Sequence, residues 1–232
     1  MADTLSLDLG GRVVTVAVKR SALARRLSLR VDPVRGAVLM LPAKARLAEA
    51  ERFLAAHRVW LAERLARLPQ TVALTDGAAV PLLGVPHAVR HVPGARRGVW
   101  VEGGEILVSG LPEHVGRRVA DFLKAEARRL IVPRAHAMAG QLGRKPGRVS
   151  LKDTRSRWGS CSSTGDLAFS WRLVLAPEQV LDYVVAHEVA HLEQMNHSPA
   201  FWAVVESLVG DPRGPRRWLK GNGAGLHRFQ VP

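Results

Sequence analysis

Apolar and polar residues alternate early in the chain. Val13-Val14-Thr15-Val16-Ala17-Val18 reads as a strand, and Leu27-Ser28-Leu29-Arg30-Val31 has the period of two of a half-buried strand. Asp32-Pro33 and Arg35-Gly36 supply turn residues, and residues 37–41 return as a second strand. The period then changes. Over 47–68 the apolar side chains fall at helical spacing (Leu47, Phe53, Leu54, Trp60, Leu61, Leu65, Leu68), and Pro69 stops that helix. Short strands are expected around 80–83, 88–92, 99–101 and 106–108, with Gly and Pro between them.

Leu111-Pro112-Glu113 opens a second long helix with Val115, Val119, Phe122, Leu123, Leu130 and Ile131 as its buried stripe. Pro133 is expected to kink or divide it, and Gly140 and Gly143 to end it. A hairpin comes next: 149–160 as the first strand, Ser163-Thr164-Gly165-Asp166 as the turn, and 167–173 as the second strand. Leu167, Phe169, Trp171 and Leu173 would share one face. Ala176-Pro177 then starts a helix whose apolar face is Leu181, Val184, Val185 and Leu192. The pattern predicts an α+β protein: a β-rich region with one long helix over 1–110 and a second domain over 111–232. The Gly- and Pro-rich stretch 94–112 is the expected boundary.

Composition narrows this picture. Hydrophobic residues make up 47% of the 232, enough for a core, so wholesale disorder is excluded. One cysteine, Cys161, excludes an internal disulfide framework and an all-cysteine zinc ribbon. The start, Met1-Ala2-Asp3-Thr4-Leu5, does not read as a secretory signal, and no apolar run is long enough to span a membrane, so the cytoplasm is expected and no membrane partner. The net charge of +14, carried by 28 Arg and 6 Lys, admits nucleic acid or acidic substrates as partners.

The chemistry concentrates at His187-Glu188-Val189-Ala190-His191. Residues i and i+4 share a helical face, so two imidazoles can bind one zinc ion, and the glutamate beside the first can reach the metal-bound water. His197 comes after Met195-Asn196, which can end the helix. Ser198-Pro199 can then cap a new one over 199–209, so the chain turns where His197 would swing back. Glu206 on that next helix is the rival third ligand; His197 is favoured because imidazole suits zinc and the turn presents it. Three protein ligands plus water is the open coordination of a catalytic zinc.

Arg157-Trp158-Gly159-Ser160-Cys161-Ser162, Trp171, the run 183–192 and Asn196-His197-Ser198-Pro199-Ala200-Phe201-Trp202 resemble the signature of YgjP-like metallopeptidases, which are similar to SprT and WLM proteases. Residues 25–31 and the helix around Trp60 also look similar. The resemblance implies a zincin-like catalytic domain (an active-site helix plus a β-hairpin) in which His187, His191 and His197 bind zinc and Glu188 is catalytic. The expected activity is zinc-dependent hydrolysis of a peptide bond in a peptide or protein substrate. A nucleotide phosphoanhydride hydrolase and a DNA-associated SprT-like protease are the alternatives. Tyr183, Arg155 and Arg157 are candidates to stabilise an oxyanion or hold substrate, and Arg172 to hold a carboxylate or phosphate, or to face solvent. Trp158, Trp171 and Trp202 are expected to pack the hairpin against the zinc helix. Cys161 is expected to be a small packed residue. An extended peptide is expected to align on one hairpin strand, around 155–160, as one wall of an open cleft.

Overall fold

The structure is a computed structural model that describes residues 3–32, 36–67 and 70–231. The chain forms two compact units, 1–70 and 71–232. In the first, β1 (Thr4–Asp8), β2 (Val13–Ser21), β3 (Ser28–Asp32) and β4 (Gly36–Pro42) make one sheet in the order β1-β2-β4-β3. β2 runs parallel to β4, and the outer pairs are antiparallel. Val16, Val18, Leu39 and Leu41 of the central strands pack with Ala50, Leu54 and Leu61 of α1 (Leu47–Ala56) and α2 (Arg58–Ala66). The single helix expected over 47–68 is thus two. His57 stands at the break, where its ring Nδ1 lies 2.8 Å from Phe53 O and its ring stacks on Phe53 at 4.1 Å. The expected stop at Leu68–Pro69 and most of the turn at 32–36 lie outside the described residues.

The second unit opens with β5 (Val72–Ala73). Next is a four-stranded sheet, ordered β6-β7-β9-β8 from β6 (Ala79–Leu82), β7 (Val85–His91), β8 (Val99–Glu102) and β9 (Glu105–Val108). These are the short strands expected from the sequence, but they pack with the long helix on their C-terminal side. Val80, Val89, Ile106 and Val108 share a core with Val119, Leu123 and Ile131 of that helix, α3 (Val115–Gln141). The units therefore divide at Gln70/Thr71, not in the stretch 94–112. Apolar contact, not Gly and Pro content, sets the boundary.

Helix α3 runs unbroken through Pro133, with Ile131 and Ala135 fully buried on either side. Interior proline costs about 3 kcal/mol in a helix, and burial of that flanking stripe outweighs it. β10 (Val149–Lys152), β11 (Gly159–Cys161) and β12 (Leu167–Ser170) form a sheet in the order β10-β12-β11. The expected two-stranded hairpin is therefore split. Only β11 pairs antiparallel with β12, while β10 lies parallel on its other side. Residues 171–175 leave the sheet as a buried 3-10 turn, because Ser170 Oγ accepts the Arg172 N–H and starts that turn. α4 (Glu178–Ala190), α5 (Pro199–Val209), α6 (Arg213–Leu226) and β13 (Phe229–Gln230) complete the unit, with β13 parallel to β5. Among the described residues no helix is long and apolar enough to cross a membrane.

Candidate active site

The histidine motif ends a helix instead of sitting inside one. α4 stops at Ala190, with His191 as its cap. Leu192 N–H bonds to Val189 O and Glu193 N–H to Ala190 O, a tightened turn, so Met195-Asn196 lies beyond the helix end. His191 Nδ1 sits 3.0 Å from Gln194 O. That bond fixes the proton on Nδ1 and leaves Nε2 with its lone pair. The chain then reverses. Asn196 Oδ1 accepts the Ser198 N–H at 3.2 Å, and Ser198 Oγ accepts the Phe201 N–H at 3.4 Å, capping α5 with Pro199 in its first turn.

This reversal brings His197 to the other two. One nitrogen each from His187, His191 and His197 lies within 4.8 Å of the rest, and the His187 and His197 Nε2 atoms are 3.1 Å apart. Two nitrogens on a tetrahedral zinc, with bonds of about 2.0–2.1 Å, stand about 3.3 Å apart. Glu206 is exposed on α5 and is not in this group. All three rings rest on the buried Phe201 side chain, with centroids 4.9, 4.6 and 4.7 Å from it.

Burial pushes the His187 imidazole down to about 4, with the charges of His191, His197 and Arg216 adding to it. Burial also lowers His191, against the raising effect of its Gln194 bond. Two of the three imidazoles are thus held neutral, and His187 Nδ1 is buried without a partner. Converging neutral imidazoles, with no carboxylate or thiolate among them, suit a borderline cation such as zinc.

Glu188 lies next to His187 in α4 and is buried. Burial pushes its carboxyl up to about 7, against the lowering charge of Arg157. The edge strand β11 crosses directly over it. A Cβ at Gly159 would stand 2.5 Å from Glu188 Cγ and 2.6 Å from Oε1, so a side chain there would displace the Glu188 side chain or the strand. Among the described residues β11 pairs only with β12, so its other edge has no strand partner.

The other candidates separate. Arg157 is exposed before β11, close enough for its charge to reach Glu188; Arg155 is exposed on the same loop. Tyr183 is buried with its ring edge-on to His187 at 6.0 Å, and burial raises its hydroxyl. Arg172 neither faces solvent nor opens to a ligand. It is buried, bonds Asp153 at 2.7 Å and donates to Leu226 O and Phe229 O. Trp158 stacks on His227 at 5.1 Å and abuts Gly223 of α6, a helix that the apolar pattern does not predict. Trp202 stands 6.0 Å from His187 and 6.1 Å from His197. Arg216 of α6, equally unforeseen, lies over Trp202 at 4.8 Å, and its charge reaches His187. Four glycines in α6 lower its helix propensity.

The YgjP-like metallopeptidase domain family matches residues 25–222. A solved structure, the metallopeptidase zymogen of Pyrococcus abyssi abylysin, is similar at 22% identity and a TM-score of 0.33, over 48% of this chain and 98% of its own. No curated protein matches. The family match runs through both compact units, and the chain belongs to the YgjP-like metallopeptidases.

Proposed function

We propose that this protein is a zinc-dependent peptidase in which His187, His191 and His197 hold the metal and Glu188 is the general base. One juxtaposition carries the reading: converging imidazoles at the end of α4, with a buried carboxyl beside them under an open strand edge. Zinc bound there supplies Lewis acidity, polarising the scissile carbonyl and easing deprotonation of water. Glu188 takes a proton from the attacking water as the oxygen adds to the carbonyl carbon. It returns that proton to the leaving nitrogen as the C–N bond breaks. Burial raises the affinity of the Glu188 carboxyl for that proton. An extended peptide adds as a strand along the free edge of β11, whose backbone N–H and C=O groups set its register. Gly159 allows that edge to lie against Glu188.

The test separates binding from turnover. Glu188→Gln retains about one zinc per chain but loses peptide hydrolysis, because the carboxylate is a base and not a ligand. His197→Ala loses zinc on dialysis, whereas Glu206→Ala keeps it. Wild-type turnover in Glu188→Gln, or the reverse pattern of metal content, overturns the assignment.

A further inference from the structure

Gly159 faces α4, so by strand alternation Ser160 faces the opposite side of the sheet. The register sets Ser160 beside Ala168, and Ala168 beside Ser150. Three small side chains in a row floor a trough of about 530 Å³, with Arg148, Lys152 and Arg157 around it. Among the described residues none of these exposed cations is ion-paired. The one carboxylate there, Asp166, accepts the Arg148 backbone N–H at 2.7 Å and holds the turn. The trough adjoins the catalytic centre, since β11 lines it and the charge of Arg157 is felt at Glu188.

Neighbouring strands lie about 4.8 Å apart, and successive side chains alternate between faces. A peptide added beyond β11 therefore lies one strand spacing from Ser160, and every second side chain rises on the trough side. We propose that this trough is a subsite for acidic side chains of the substrate, with Arg157, on the segment that leads into β11, receiving an Asp or Glu that rises on the trough side. The proposal rests on the peptidase reading above. Single-stranded nucleic acid is the rival polyanion, but its sites stack bases on aromatic rings, and no aromatic side chain lines the trough.

Two peptides differing only in Glu or Gln at alternate positions beside the scissile bond test it on the zinc-loaded full chain. The Glu peptide is expected to have a kcat/KM about tenfold higher, as a charge-assisted bond provides. Arg157→Gln pulls that ratio toward one, and Arg157→Glu inverts it in favour of a Lys peptide. Arg128→Gln, on an exposed face of α3, leaves it unchanged. Binding is read separately by fluorescence anisotropy in Glu188→Gln. Equal cleavage and equal binding of the two peptides overturn the subsite and leave the peptidase reading intact. Arg157-dependent binding of the Glu peptide without cleavage of any peptide by the wild type overturns the catalytic reading and supports the subsite. An oligonucleotide that displaces the Glu peptide at lower concentration, again through Arg157, overturns the choice of carboxylate.

Discussion

A methyl group on residue 159 would stand 2.6 Å from Glu188 Oε1. Gly159→Ala therefore moves either the edge strand or the carboxyl, and a misplacement near 1 Å costs about 10²-fold in rate. The expected outcome is that loss in kcat with zinc content unchanged; a fully active variant would show that strand and carboxyl are not in contact. Phe201 makes a different demand. It is fully buried and touches all three imidazoles, so Phe201→Ala is expected to cost about 3–5 kcal/mol in urea unfolding of the metal-free protein. It should also weaken zinc in a chelator competition, because the rings lose the surface that orients them. The histidines were legible because their spacing is itself the geometry. The constraint on Gly159 was not, since the residue that forbids a side chain there lies on another element, α4.

Between elements, Arg172 ties the loop after β10 to the segment after α6. Its side chain is 9% exposed, while that of Asp153 is 52% exposed. Burial opposes ionisation of Asp153, but the hydrogen bonds and charge of Arg172 outweigh it, so the carboxyl stays below its usual range. A lowered folded value stabilises at pH above the unfolded value of about 3.9, and that contribution is lost as pH falls through the folded value. Asp153→Asn is expected to cost about 1–2 kcal/mol at pH 7, a buried-pair cost discounted for the exposed carboxylate. Its deficit should shrink below about pH 4 in parallel denaturation curves. A deficit constant with pH would mean that the carboxylate charge is not what matters. Elements with local signals were readable: α5 begins at the Ser198-Pro199 cap and ends at Val209, as its sequence indicates. The parallel pairing of β10 with β12 was not, because it joins strands that β11 separates in the chain.

For the whole molecule, metal and stability are linked. The histidine group lies in the second unit, and among the described residues it is the group able to hold a metal. Zinc that binds the folded unit and not the unfolded chain adds about 2.7 kcal/mol at a hundredfold excess over Kd. Chelation is therefore expected to lower the Tm of the second unit's transition in calorimetry. Glu188→Gln should retain the zinc-dependent rise, and His197→Ala should lose most of it. A Tm indifferent to zinc in the wild type would mean that the imidazoles bind no ion in the folded state. At this scale composition indicated a core and a basic surface. The division into units was hidden, because it depends on Ile106 and Val108 packing with α3.

The parallel ladder of β5 and β13 also sets an order of events. Residues 72–73 leave the ribosome long before their partners at 229–230 exist. Arg172 waits on the same late segment for its two carbonyl acceptors, and Trp158 waits for His227. The loop that leads into β11 thus lacks its contact with His227, and its partner Arg172 lacks those carbonyls, until residues 226–230 have emerged. Those contacts are remote in sequence and are expected to form late in folding, as long-range contacts do. A chain that carries the complete histidine motif but ends at residue 225 is therefore expected to be inactive toward peptides, and full activity in that truncation would overturn this order.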